Sequence, residues 1–349
     1  MQSFESGVTR LFVKSVRQCC LGLFAFANLL VSPLAFADEP LIFRIGTGEI
    51  GGTYYPIGGV IASAISSPPG ARPCDKGGSC GVPGLVAIAK TSDGSVANVE
   101  SVANRSYESG FVQSDIAHWA YSGTGPFRKR KAQKSIRAIA NLYPESFHLV
   151  VRDGSKISAI RDLKGHRVSL DEKGSSASVD VRLVLRAFGL REQRDFKPRY
   201  LKGDVASAQL VAAKLDAFII VAGYPVPSVV RAVKKGNARL LNLSGKPVDA
   251  LIKKHKYFSR DMISVGAYGN KAPIPTVSVN ALWIANETFD EELIYQITKA
   301  LWNENSRKLL DEGHQKGKRI QLSAALKGVS IPLHLGAKRF YKEVGLVDD

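Results

Sequence analysis

Gly46, Gly48 and Gly51 stand in G-x-G-x-x-G spacing within residues 43–59, FRIGTGEIGGTYYPIGG, beside Thr47, Tyr54 and Tyr55. Glycines in such a turn let backbone N–H groups approach an anion at a helix N-terminus, while the hydroxyl and the two amphipathic rings suit a small carboxylate or amino acid. Two further polar turns follow: Thr91, Ser92, Asp93, Gly94 and Ser95, then Gly174, Ser175 and Ser176. Each turn alone reads equally well as helix capping; three at predicted strand ends could converge on one anion. A dinucleotide target is disfavoured, because the acidic residue expected about 20 positions on is missing. The region beyond Ser66 is instead Pro68-Pro69-Gly70 and a cysteine loop, and the strand ending near Ala89 is followed by Lys90.

These turns need strands and helices to hold them. Residues 41–46 read as a strand and 56–66 as a helix, with Ile57, Val60, Ile61, Ala64 and Ile65 at helical spacing. A strand at 85–89, a helix at 95–103 and a strand at 109–112 continue the alternation, which predicts a mostly parallel sheet with ligand sites at the strands' carboxyl ends. A second α/β series begins at 147–151. It runs through a strand at 167–170, a loop at 171–176, a helix at 179–188, a strand at 215–221, the turn 222–225 and a helix at 226–234. Residues 253–275 read as irregular, 277–285 as a strand returning to the first lobe, and 286–311 as one long amphipathic helix carrying Phe289, Leu293, Ile297, Leu301 and Trp302 on one face. The expected fold class is α/β with two lobes, 38–145 with 277–349 and 146–276, hinged about a ligand cleft.

Residues 1–37 carry the marks of an export signal: Arg10, Lys14 and Arg17, an apolar core at 21–31, and Ala35-Phe36-Ala37 as a cleavage site. An uncleaved anchor is the alternative. Cleavage would leave a chain expected to be soluble in the periplasm and monomeric. Of the 48 basic and 31 acidic residues of the chain, 45 and 30 lie beyond residue 37, a positive field that favours anionic ligands. Part of it is concentrated in Arg128, Lys129, Arg130, Lys131, Lys134 and Arg137, which in an exported protein reads as a solvated loop, or as a contact for a membrane partner or anionic lipid, and not as a nucleic-acid site. Cys74 and Cys80 bracket a turn-forming DKGGS segment. In an oxidising compartment they are expected to form a disulfide in preference to two free thiols; no nearby histidine or third cysteine suggests a metal, and no cofactor is expected.

At IGTGEIGGTYYPIGG (45–59), TSDGSVANVESV (91–102), FVQSDIAHWAYSGTGPF (111–127), IRAIANLYPESFHLVVR (136–152), DLKGHRVSL (162–170), GYPVPSV (223–229) and IPLHLGAKRFYKEVGL (331–346) the chain resembles the solute-binding subunits of tripartite ATP-independent periplasmic (TRAP) transporters, of the TAXI branch. The resemblance implies a type II periplasmic-binding fold that closes on an organic anion or amino acid and hands it to TRAP permease subunits driven by an ion gradient. Carried over by motif, the implied ligand contacts are Thr47, Tyr54, Tyr55, Thr91, Ser95, Gln113, Ser114 and Asp115 from the first lobe. From the second they are Gly174, Ser175, Ser176, Gly223, Tyr224 and Pro225. Gln113 suits an amide or carboxylate; Asp115 either pairs an ammonium group or caps the helix after it. Glutamate binders of the family often continue the third turn as Gly-Ser-Gly-Gln-Arg, whereas this chain reads Gly174-Ser175-Ser176-Ala177-Ser178. An arginine fork is thus absent there, and Arg182, a turn further on, is expected on a solvated face.

An exported hydrolase is the rival from another class. The serines lack a G-x-S-x-G elbow, and His118, His148, His166, His255, His314 and His334 form neither H-E-x-x-H nor an obvious ligand pair. The reading is therefore a binding protein and not an enzyme. A ligand-sensing adaptor for a signalling receptor needs the same closure as a transport receptor and remains the alternative.

Overall fold

The computed structural model describes residues 39–48, 50, 53–172, 175–235 and 238–348; the export signal expected at 1–37 lies outside them. Strand β1 (Leu41–Gly46) buries Phe43 and Ile45 completely, while Arg44 between them reaches Glu108 through a two-pronged ion pair. It feeds helix α1 (Tyr54–Ile65), whose Ile57, Ile61 and Ile65 are fully buried at the spacing of one helix face. A Cβ on Gly58 would stand 2.4 Å from Thr47 Cγ2, so a glycine lets α1 pack closely over the residue that follows β1.

Strands β2 (Leu85–Lys90) and β3 (Ser109–Gln113) lie parallel to β1 on either side, with helix α2 (Ser95–Ala103) between them in sequence and α3 (Ser114–Ser122) following. The second series supplies β5 (Arg167–Ser169), α4 (Ser176–Ala187), β6 (Lys197–Arg199), α5 (Gly203–Val211), β7 (Ala217–Ala222) and α6 (Pro227–Lys234). Two long strands unite the series, β4 (Ile136–Arg152) and β10 (Ile274–Asn286), with β8 (Ala238–Leu241), α7 (Lys246–Lys254) and β9 (Ser259–Ile263) between β7 and β10 in the chain. The order in the sheet is β2-β1-β3-β10-β4-β7-β5-β6, with β8 paired to β4 and β9 to β10.

This sheet corrects the expectation of a mostly parallel one. The pairs β1–β2, β1–β3, β5–β6 and β5–β7 are parallel, but every pair that involves β4 or β10 is antiparallel. The two long strands also exchange partners midway. Residues 136–146 of β4 pair with β10, and 146–151 pair with β7; in β10, 274–278 pair with β9 and 281–285 with β3. Pro144, which brings no N–H to a ladder, sits just before the exchange, and the segment 147–151, where the second series is expected to begin, continues the same strand, 17 residues long from Ile136 to Arg152.

The helix expected over 286–311 is two helices, α8 (Glu291–Leu301) and α9 (Glu304–Gly313). Asn303 breaks them apart: its backbone is extended and its side chain caps α9 by accepting from Ser306 N at 2.8 Å. Helix α10 (Leu335–Glu343) packs on α8, with Gly336 against the Glu291 carbonyl. Trp283 at the middle of β10 is fully buried and meets Phe43 and Phe111 edge to face, each at 6.4 Å between ring centres. No helix among the described residues is long and apolar enough to cross a membrane.

Cys74 and Cys80 are joined as expected. The closed loop is short, so by chain entropy the bond contributes about 2 kcal/mol. Replacing both cysteines by Ser should lower the urea midpoint by a corresponding amount and leave ligand affinity unchanged, as measured by chemical unfolding and calorimetric titration. The basic run forms an exposed turn leading into β4, and half of its six charges are engaged: Arg130 pairs with Glu100 at 2.5 Å, Arg137 with Glu287, and Lys134 lies 4.2 Å over the Tyr121 ring.

Candidate functional site

The expected turns stand at strand ends. Thr47 follows β1 and is fully buried; its N–H and hydroxyl both donate to Lys90 O, at 2.8 and 2.7 Å, and its carbonyl accepts from Asn98 Nδ2 and Ser92 Oγ. The residue thereby ties the ends of β1 and β2 together. Thr91 is exposed and Tyr55 half-buried. Ser95 accepts from the backbone N–H of Gln113 at 3.1 Å, which joins the second turn to the end of β3. In the other series Ser175 caps α4 through Ser178 N, while Gly174 and the side chain of Ser176 lie outside the described residues. Arg182 turns to Glu192 at 3.0 Å and to Tyr200, a half-buried surface cluster, and no guanidinium fork enters from α4.

Other expected residues meet where β4 changes partner. Gln113 donates from Nε2 to Glu145 Oε2 at 2.5 Å. Tyr54 packs edge-on against Phe111 at 5.7 Å; its buried hydroxyl has no partner in hydrogen-bonding geometry, although Ser95 and Glu145 stand near enough to bear on its ionisation. Ser114 has a framework role, donating to Tyr257 O and accepting from Asn280 N, both at 3.0 Å. Asp115 is fully buried and faces Asp180 of α4, also fully buried, so the N-terminal turn of α3 meets the second series through two carboxyl groups.

On the other side stands the turn after β7. Tyr224 presents its ring 3.7 Å from Lys316 Nζ, and its hydroxyl accepts from Arg319 Nη1 at 3.0 Å and donates to Met262 O at 3.0 Å. A Cβ on Gly223 would approach Lys316 Cε at 3.1 Å and Thr53 Oγ1 at 3.2 Å, so a glycine lets this turn close on α1. Pro225 is exposed. Lys316 is buried and donates to Pro144 O at 3.3 Å; Arg319 pairs with Asp261 at 3.2 Å, and Asp261 accepts from Ser146 Oγ at 2.6 Å.

Burial sets the electrostatics of this seam. Desolvation pushes the Glu145 carboxyl up to about 7 against the bond from Gln113, and brings Lys316 down to about 8 despite the attraction of Asp261. Asp115 and Asp180 are both raised by burial, and Asp180 further by the neighbouring carboxyl. His148, beside Tyr224 and Tyr268, is held neutral by burial and by Lys316, down to about 4. The result is a junction of two poles, acidic at Asp115, Asp180 and Glu145 and basic at Lys316 and Arg319, bordered by tyrosine rings.

Sequence reading missed Glu145, Asp180, Lys316 and Arg319. One of them left a signal: Asp180 shares a helix face with Ala177, Val181 and Val184, whereas Glu145 stands in a Pro-Glu-Ser stretch that reads as a loop. Lys316 and Arg319 sit in a polar QKGKR stretch that looks solvated. A groove of about 810 Å³ lies elsewhere, between the disulfide loop and the α8–α9 junction at Gln296, Lys299 and Asn303, and none of the expected ligand contacts lines it. Among the described residues no group of three or more His, Cys, Asp or Glu side chains is placed to hold a metal ion.

A family model described as NMT1-like matches residues 45–345. A putative periplasmic sulfonate-binding protein, SsuA of a sulfonate ABC transporter from Methylobacillus flagellatus KT, is 13% identical, with 88% of this chain and 96% of that chain covered at a TM-score of 0.50. A TctC solute-binding protein from Polaromonas is also 13% identical, with 80% and 89% covered at 0.50. The aliphatic sulphonate-binding SsuA of Escherichia coli is 17% identical over 87% and 84%, at 0.47. The likeness at 0.50 establishes the fold, the two-lobed α/β arrangement of periplasmic binding proteins.

Proposed function

The chain belongs to the NMT1-like family, and from that premise we propose that it is a periplasmic solute-binding receptor that captures a small organic anion or amino acid between its lobes, with no chemical step. The lobes are 38–145 with 277–349 and 146–276; the exchange of strand partners at 144–146 and 278–281 supports these boundaries. The observation that carries the proposal is the meeting of Tyr54, Gln113 and Glu145 with Lys316 and Tyr224 at that crossing. Strand-end turns from two halves of an α/β fold are where such proteins hold ligands.

Residues 1–37 act as a cleavable leader, and the Cys74–Cys80 bond suits the oxidising compartment to which it leads. The motif series from 45 to 346 supports the TAXI branch, and with it delivery to a TRAP permease driven by an ion gradient. Of the family contacts, Tyr54, Ser95, Gln113, Asp115, Gly223 and Tyr224 gather at the junction; Thr47 and Ser114 serve it by fixing the turns.

Thermal unfolding against amino acids, dicarboxylates, other organic acids and sugars tests the proposal. A ligand at about 100 times its dissociation constant adds about 2.7 kcal/mol, and Tyr224→Ala and Gln113→Ala should each weaken its binding about tenfold or more with an unchanged far-ultraviolet spectrum. Wild-type affinity in both variants would remove these residues from the site. The absence of a shift with every compound would overturn the receptor reading.

A further inference from the structure

The basic run takes no part in the junction where the candidate site lies. Between Asp115 and Glu145 the chain carries no acidic residue, and Arg128, Lys129, Arg130, Lys131, Lys134 and Arg137 all fall in that interval. The turn that presents them is pinned to the fold. Phe127 is 2% exposed beneath it, and the N–H groups of Arg130 and Gln133 donate to Phe127 O and Ala120 O, both at 2.8 Å. Two carboxylates reach the run, Glu100 and Glu287, each held by one arginine, and both members of the Arg130–Glu100 pair are half exposed. An exposed pair of that kind contributes little and yields to another anion. Among the described residues Arg128, Lys129 and Lys131 have no carboxylate partner, and all three are exposed. Strand register fixes where the turn lies. Asn286 of β10 stands opposite Ile136 and Ala285 opposite Ser109, whereas Ala281 stands opposite both Gln113 and Tyr143. The turn just before Ile136 is therefore at the end of the sheet remote from Gln113 and the candidate site.

We infer that the turn 128–134 is a docking face for a membrane surface of anionic phospholipid. Lysine and arginine held at such a surface gain about fivefold in affinity per charge, and a turn already pinned in place loses little freedom on docking. A protein partner would want an apolar or aromatic centre to the patch, but Phe127 is turned inward and the exposed side chains around it are cationic. Charge presented on a convex turn without an apolar centre suits a plane of phosphate head groups. Docked in this way, the receptor keeps its Gln113 end directed away from the bilayer, open to solute, while its search for a membrane partner is confined to the plane of the membrane. The cellular setting rests on the export proposed above, but lipid binding and solute capture are separate properties of separate ends of the molecule.

Co-sedimentation of the chain without its leader, residues 38–349, with phospholipid vesicles tests the inference. The probes are vesicles of phosphatidylcholine alone and vesicles in which about 40 mol% is phosphatidylglycerol, at an ionic strength of about 0.1 M. The expected result is binding at least tenfold tighter to the anionic vesicles, lost at about 0.5 M salt, where screening shortens the reach of each charge. The triple variant Arg128→Gln, Lys129→Gln, Lys131→Gln should bind at least tenfold more weakly, with an unchanged melting temperature, because the three side chains are exposed and unpaired. A control that removes the same charge elsewhere, Lys164→Gln, Lys197→Gln, Lys214→Gln, at exposed positions of the second series, should weaken binding by no more than about threefold, a share of the general positive field. Equal binding to both kinds of vesicle, an unchanged affinity in the 128–131 variant, or equal losses in the two triple variants would overturn the docking face. None of these outcomes bears on solute capture, which the thermal-unfolding panel reads without lipid, so the two proposals fail separately.

Discussion

Trp283→Ala should lower the unfolding free energy by about 3–5 kcal/mol, the range for removing a large buried aromatic side chain. For a chain of this size that corresponds to a fall of roughly 5–8 °C in melting temperature. Trp283 is fully buried at the middle of β10, which pairs with β3 on one side and β4 on the other, and its ring meets Phe43 and Phe111. Phe111 in turn carries Tyr54, so the stack is the floor of the candidate site as well as the centre of one core. Scanning calorimetry of wild type and variant checks it. A fall smaller than about 3 °C would mean that the aromatic stack is not what holds the crossing strands.

The second large effect is electrostatic, and its sign is set by burial. Glu145 has its folded-state value raised from 4.5 to about 7, so the folded chain holds a proton that the unfolded chain has lost. Its contribution to stability is fully present below about 4.5 and disappears as pH rises through about 7, a loss of about 3 kcal/mol at most. The Asp115–Asp180 pair, also raised, acts in the same direction. His148, lowered from 6.5 to about 4, opposes them: its contribution is present above 6.5 and is lost as pH falls toward 4. Glutamine does not titrate and can still accept from Gln113, while Lys316 keeps Asp261 and the Tyr224 ring. Glu145→Gln should therefore exceed wild type by about 2–3 kcal/mol at pH 8 and match it near pH 4.5, in urea unfolding at both values. A gap that does not change with pH would show that the Glu145 carboxyl is not buried as described.

The local grammar of the fold was legible because it is written in nearest neighbours. The strand at 41–46 and the helix over 54–65 follow from apolar spacing, and the helix at 95–103 falls on its expected residues. What failed was whatever depended on a distant partner. Pro144-Glu145-Ser146 looks like a loop, yet it lies inside a strand because β10 and β7 take up its ladder in turn. The short strands β6, β8 and β9 and the helix α5 carried too little periodicity to be recognised, and α7, though amphipathic, is only nine residues long. The same reason hid the chemistry. Gln113 and Tyr224 belong to motifs and could be named, whereas Lys316 becomes a site residue only because the chain's last quarter folds back over Pro144.

The central claim is capture of a small ligand by closure of two lobes. Small-angle X-ray scattering tests it most directly, on protein freed of ligand by partial unfolding and refolding and then saturated with a compound that raises its melting temperature. The account predicts that the ligand-free radius of gyration exceeds the value calculated from this structure, in which a side chain at Gly223 would meet Thr53 and Asp115 faces Asp180, and that ligand contracts it to that value. An identical radius with and without the bound compound would contradict capture by closure.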